Sequence, residues 1–147
     1  MDFIGYGKAT MQMIDEFEQY VGFSLPNDYK RFLLEYNGGK PKERYYTFFV
    51  QELNENIPFD VLYGLNTAIK QVDLKMWYDE YKEDLLENCI IIGSDSGTGL
   101  IILINEDEDE GIYYWDHSWY FEQSNEENNV YKISDSFQEF FNDLEKL

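Results

Sequence analysis

The chain has 147 residues, 44% hydrophobic and 18% aromatic, with 30 acidic against 11 basic side chains and a formal net charge of −19. That length and apolar content point to a single folded domain over residues 1–147 with a sizeable core, and they exclude a disordered chain. The charge argues against the basic grooves that hold nucleic acids and against docking on anionic membranes.

The acids are unevenly spread. Residues 1–82 carry 13 acids and 9 bases, whereas residues 83–147 carry 17 acids and only Lys132 and Lys146. The apolar runs are far too short to cross a bilayer. The opening MDFIGYGKATMQM has neither the basic start nor the apolar stretch of a signal peptide. Cys89 is the one cysteine, so an internal disulfide is impossible, and a thiol beside Ile90 suits a reducing compartment. These features lead to the expectation of a soluble, cytoplasmic protein.

In chain order, Met13, Ile14, Phe17 and Val21 recur at helical spacing and predict a helix over roughly 9–21. A second follows in SLPNDYKRFLLEYNGGKP. There Pro26 suits the first turn, Asp28 complements the positive helix end, and Tyr29, Phe32, Leu33 and Tyr36 share one face. Asn37, Gly38 and Gly39 supply left-handed conformations to stop it, and Pro41 prevents its resumption.

RYYTFFV, residues 44–50, reads as a strand. A longer helix capped by Asn66 or Thr67 is expected to run to about Glu87, with Ile69, Val72, Met76, Trp77, Tyr81 and Leu85 inward. CIIIG, GLIILIN and GIYYWD then read as antiparallel strands, with VYKI at 130–133 as a fourth. Residues 122–129 read as a mobile surface loop. Ser134 or Ser136 caps a last helix carrying Phe137, Phe140, Phe141 and Leu144. The predicted class is α+β, a mainly antiparallel sheet with helices packed on one face.

Four motifs invite chemistry. The acids Glu106 to Glu110 before Gly111 suggest a calcium loop, but His117 stands where the bidentate Glu belongs and the flanks read as strands. A hairpin turn with Gly111 in a left-handed conformation needs no metal. DSGT at 95–98 has the short pattern of an aspartic protease, yet Gly93 and Ser94 precede it in place of apolar residues, and a tight turn explains it better. Asp116 beside His117 could orient an imidazole, but strand neighbours point to opposite faces and no nucleophile motif accompanies them. One His and one Cys cannot build a zinc site without carboxylates, and no phosphate-cradling glycine loop occurs. No catalytic residue, metal site or cofactor is predicted.

What remains is aromatic density beside acids. Half or more of Tyr113, Tyr114, Trp115, Trp119, Tyr120 and Phe121 belong to the core by alternation. The rest would form anchors edged by charge, as at protein-binding surfaces. The candidate partner-binding residues are Glu106, Asp107, Glu108, Asp109, Glu110, Tyr114, Trp115, Asp116, Trp119 and Tyr120.

LPNDYKRFLLEYNGGKP resembles the Leu-Pro-x-x-Tyr helix ending in Asn-Gly-Gly of the SUKH superfamily, also called the Smi–Knr family. IIIGSDSGTGLIILINEDEDEGIYYWDH is similar to its Gly-Ser-Asp, apolar strand, Gly, aromatic-Trp-Asp-His succession, and SFQEFFNDL to its closing helix. The ordered likeness spans roughly residues 10–145. It implies a compact α+β fold and, for single-domain bacterial members, an immunity protein that binds and neutralises a toxin domain, often a nuclease. An acidic inhibitor of a basic nuclease makes electrostatic sense. The alternative that the resemblance allows is a regulatory interaction domain, a cell-wall or signalling adaptor without a toxin. The resemblance supplies no catalytic residues.

Overall fold

The computed structural model describes residues 1–43 and 45–146. Its elements are β1 (Phe3–Gly5), α1 (Met11–Val21), α2 (Asn27–Glu35), β2 (Gly39–Pro41), β3 (Tyr46–Val50), β4 (Glu55–Leu62), α3 (Leu74–Tyr81), β5 (Cys89–Asp95), β6 (Leu100–Ile104), β7 (Gly111–Trp115), β8 (Val130–Ser134), α4 (Phe137–Asn142) and β9 (Glu145–Lys146).

The helix ends follow from local chemistry. Thr10 accepts a hydrogen bond from the Met13 amide at 3.2 Å to start α1, and Gly22 at φ 86° closes it. Pro26 precedes α2, whose Tyr29, Phe32 and Leu33 are buried as the spacing requires. Asn37 at φ 53° and Gly38 at φ 81° then turn the chain. Asn37 also does something the sequence did not reveal. Its buried amide donates to the Leu65 carbonyl at 2.8 Å and accepts from the Leu65 amide at 2.7 Å, tying the end of α2 to the end of β4. Ser136 caps α4 through the Glu139 amide.

The sheet runs β1-β2-β4-β5-β6-β7-β8, with β3 paired to β4 and β9, and every pair of named strands is antiparallel. Class and sheet type are as expected, but β1, β2, β4 and β9 were not foreseen. Arg44, the first residue of the predicted strand 44–50, lies outside the described residues; the strand itself begins at Tyr46. β6 is buried at all five positions, so both faces of the sheet are covered. Phe140 of α4 reaches Phe48 and Phe59 on the Tyr114 side, and α2 stacks on α4 through Phe32 and Phe137. α2 and α4 thus share one face as expected. α3 brings its rings to the other, where Tyr81 meets Trp115.

The helix expected over 66–87 is much shorter. Asn66 and Ala68 sit at positive φ, and the stretch before α3 is drawn out by hydrogen bonds between Gly64 and both Val72 and Leu74. Asp73, not Asn66 or Thr67, caps the helix, accepting from the Lys75 amide at 3.1 Å. Ile69 and Met76 are consequently exposed rather than inward. In the β6–β7 connection Gly111 takes a positive φ of 156°, which side chains rarely adopt, and Asp107 joins it at φ 43°. Cys89 is buried, and desolvation pushes its thiol up to about 12. Such a thiol is unreactive at neutral pH. No helix is long and apolar enough to cross a membrane among the described residues.

Candidate functional site: a loop cluster and a ring-lined groove

Two turns meet at one end of the sheet, residues 95–99 after β5 and residues 116–121 after β7. Each is organised by a buried acid. Asp95 accepts from the Gly97 amide at 2.7 Å, the Gly99 amide at 3.0 Å and the Tyr114 hydroxyl at 2.7 Å. DSGT is therefore a turn, its Asp committed to backbone and to a core tyrosine. A Cβ on Gly99 would collide with the Tyr114 ring, so only glycine fits there. Desolvation raises the Tyr114 phenol above its ordinary value, and the hydrogen bond to Asp95 adds to this.

Asp116 is 0% exposed. Its two carboxyl oxygens accept from the Tyr120 and Phe121 amides, each at 2.9 Å, and its carbonyl accepts from the Trp119 amide at 3.1 Å. Acid–amide bonds of this kind are among the stronger hydrogen bonds in proteins. They hold Trp119 at φ 56°, an uncommon conformation for a bulky side chain. Trp119 is 51% and Tyr120 78% exposed. The turns are also joined to each other. Thr98 and Ser118 hydroxyls lie 2.6 Å apart, and the His117 Nε2–H donates to the Thr98 carbonyl at 2.6 Å. Asp116 and His117 accordingly face different partners and form no acid–base pair.

On the α3 face, five rings make a continuous ladder. Tyr63 stacks on Trp77 at 4.9 Å, Trp77 on Tyr81 at 5.8 Å, and Tyr81 meets Trp115 at 5.7 Å and His117 at 5.9 Å. A groove of about 660 Å³ opens beside it, lined by Tyr81, Trp115 and His117 with Asp84, Glu126 and Glu127. A second limb of about 410 Å³ shares Tyr81 and His117 with it and is lined also by Tyr63 and Trp77. Desolvation raises the Tyr81 phenol, and the negative charges of Glu80 and Asp84 raise it further.

The structure separates the residues that the sequence grouped. Glu106, Asp107, Glu108, Asp109 and Glu110 form the connection before β7, with a short 3₁₀ turn over Asp107–Asp109. Trp115, Trp119 and Tyr120 lie at or beyond the other end of that strand, about 13 Å away at some 3.3 Å per residue. The acidic run does not edge the exposed aromatics. Tyr114 and Asp116 are buried, supporting the surface from beneath, while Trp115 lines the groove. No group of three His, Cys, Asp or Glu side chains is placed to hold a metal ion among the described residues. Tyr63, Trp77, Tyr81, His117, Asp84, Glu126 and Glu127 were not among the predicted site residues. The pair Trp77 and Tyr81 at i, i+4 was the available signal, and it read as core.

Residues 8–143 match the SMI1/KNR4 family (SUKH-1). The chain is also 28% identical, over an alignment of 152 positions that covers 89% of its length and 72% of the relative's, to the SPbeta prophage-derived uncharacterized protein YokK of Bacillus subtilis (strain 168). A match running from before α1 to the end of α4 takes in both acid-organised turns and the ladder between them: the chain belongs to the SMI1/KNR4 family (SUKH-1).

Proposed function

We propose that this protein is a cytoplasmic, non-catalytic immunity protein that binds a basic toxin domain of nuclease type and neutralises it stoichiometrically. One observation carries the reading. Trp119 and Tyr120 stand exposed on a loop that the buried Asp116 holds in a strained shape. Backbone strain persists where surrounding interactions impose it, and it gathers at functional sites. Rigid exposed aromatics are the commonest anchors of protein interfaces.

Family membership and a relative described as prophage-derived support the reading. So does the charge of −19, which would steer a cationic partner and speed its capture. Action by binding rather than catalysis fits the geometry, since Asp116 is committed to amides and His117 to a carbonyl. The acidic turn would act at long range on encounter, and the loop cluster would make the contact.

The test is a titration of the proposed cognate toxin domain with this protein. Its activity should fall linearly with added protein and vanish near equimolar. A toxin that keeps its activity at excess protein, with no complex on gel filtration, contradicts the reading and leaves the adaptor role as its replacement.

A further inference from the structure

We propose that the groove beside the ring ladder seats a cationic side chain, arginine or lysine, carried on an extended segment of the partner protein. This deepens the reading above and rests on it for the identity of the partner. The floor is aromatic: Trp115 and His117 lie 5.4 Å apart, and Tyr81 stands edge-on to both. The rim holds Asp84, Glu126 and Glu127, and neither Lys nor Arg lines this limb among the described residues. Ring faces attract a cation through their quadrupoles, and a carboxyl rim adds its charge.

A metal ion is a poor occupant. No three acidic or imidazole groups converge there among the described residues, and hard cations need six or more oxygen ligands. A free small cation would fill only the first limb. The second limb, which shares Tyr81 and His117 with the first, is lined by Lys40, Asp60 and Ser94 to Gly99. That mixture of charged groups and turn backbone suits an extended peptide. The ring of Tyr63 lines this limb, and its buried hydroxyl has the Ser94 side chain beside it.

The probe is the peptide acetyl-Gly-Arg-Gly-Arg-Gly-amide, with a peptide carrying neutral citrulline at both arginines as its isostere. Binding is followed by nuclear magnetic resonance of the Trp115 indole N–H and the His117 ring. Both signals should shift saturably with the arginine peptide, while the Trp119 indole stays in place. The triple variant Asp84→Asn, Glu126→Gln, Glu127→Gln should weaken binding about fivefold or more, the scale of two or three exposed ion pairs together. A matched variant, Glu106→Gln, Glu108→Gln, Glu110→Gln, removes equal charge beyond the other end of β7. It should change binding less than about twofold at 0.15 M salt, where charges are screened over about 8 Å.

Equal binding of the citrulline peptide, equal weakening by both triple variants, or no saturable shift would each overturn the proposal. The probe is synthetic, so the two readings fail separately. A groove that binds the peptide while no toxin complex forms sinks immunity alone, and a toxin complex without peptide binding sinks the groove alone.

Discussion

Asp116 begins the loop it organises, turning its carboxyl group inward so that the next residues must wrap around it. Both oxygens accept backbone amides within five residues. That local wrap is what leaves Trp119 and Tyr120 facing solvent. Bonds from amides to an acid contribute about 1.5–3 kcal/mol each where no water replaces them. Asp116→Ala should therefore lose about 2–3 kcal/mol of stability in urea unfolding, with Asp116→Asn losing less because its carbonyl still accepts one amide. The near-ultraviolet circular dichroism of the alanine variant should weaken as Trp119 gains freedom. Wild-type stability and an unchanged tryptophan band would show that the loop is held by something else. Strand alternation already set the Asp116 and His117 side chains apart in sequence, and the structure gives them different partners.

At the scale of elements, the β6–β7 connection places five acids in a row where stability gives no reason to keep them. Glu106 is half-buried and the other four are exposed, and none is within ion-pair distance of a cation among the described residues. Two like charges about 4 Å apart in water repel by on the order of 1 kcal/mol, less with salt. Changing all five to Asn or Gln should leave the melting temperature unchanged or slightly higher, and should slow association with a basic partner more than it speeds dissociation. A clear fall in melting temperature would mean that the run has a structural role.

The elements themselves were legible where the pattern was local. α1, α2 and α4 carry their apolar faces in sequence, α4 its capping serine and α2 its stop at Asn37 and Gly38, and β5 to β8 announce themselves as apolar runs between turn residues. β4 was missed although Ile57, Phe59 and Val61 alternate inward, because Pro58 interrupts the run. The span before α3 was misread because its helical spacing is overridden by tertiary bonds from Gly64. β1, β2 and β9 are two or three residues long and exist only through their partners.

On the scale of the whole molecule, the candidate site was only partly legible. Sequence neighbours Glu110 and Trp115 fall at opposite ends of β7, since a strand carries the chain across the sheet. Conversely Tyr63, Trp77 and Tyr81, which belong to β4's exit and to α3, reach Trp115 and His117 only in the folded sheet. The outcome is a protein with one end of its sheet built from acid-locked turns and rings, and a diffuse negative charge over much of the rest. The charge suits capture and the rings suit retention, and these two roles are separable by experiment.

The central claim is that the loop held by Asp116 is the contact surface. The most direct measurement is the affinity of Trp119→Ala, Tyr120→Ala for the proposed cognate toxin domain, by calorimetry, after circular dichroism has shown the fold intact. Both side chains are exposed, so the fold should survive their loss. The account predicts a loss of at least about 2 kcal/mol, roughly thirtyfold in dissociation constant, mainly through faster dissociation. A folded double variant that binds the nuclease as tightly as wild type would contradict it.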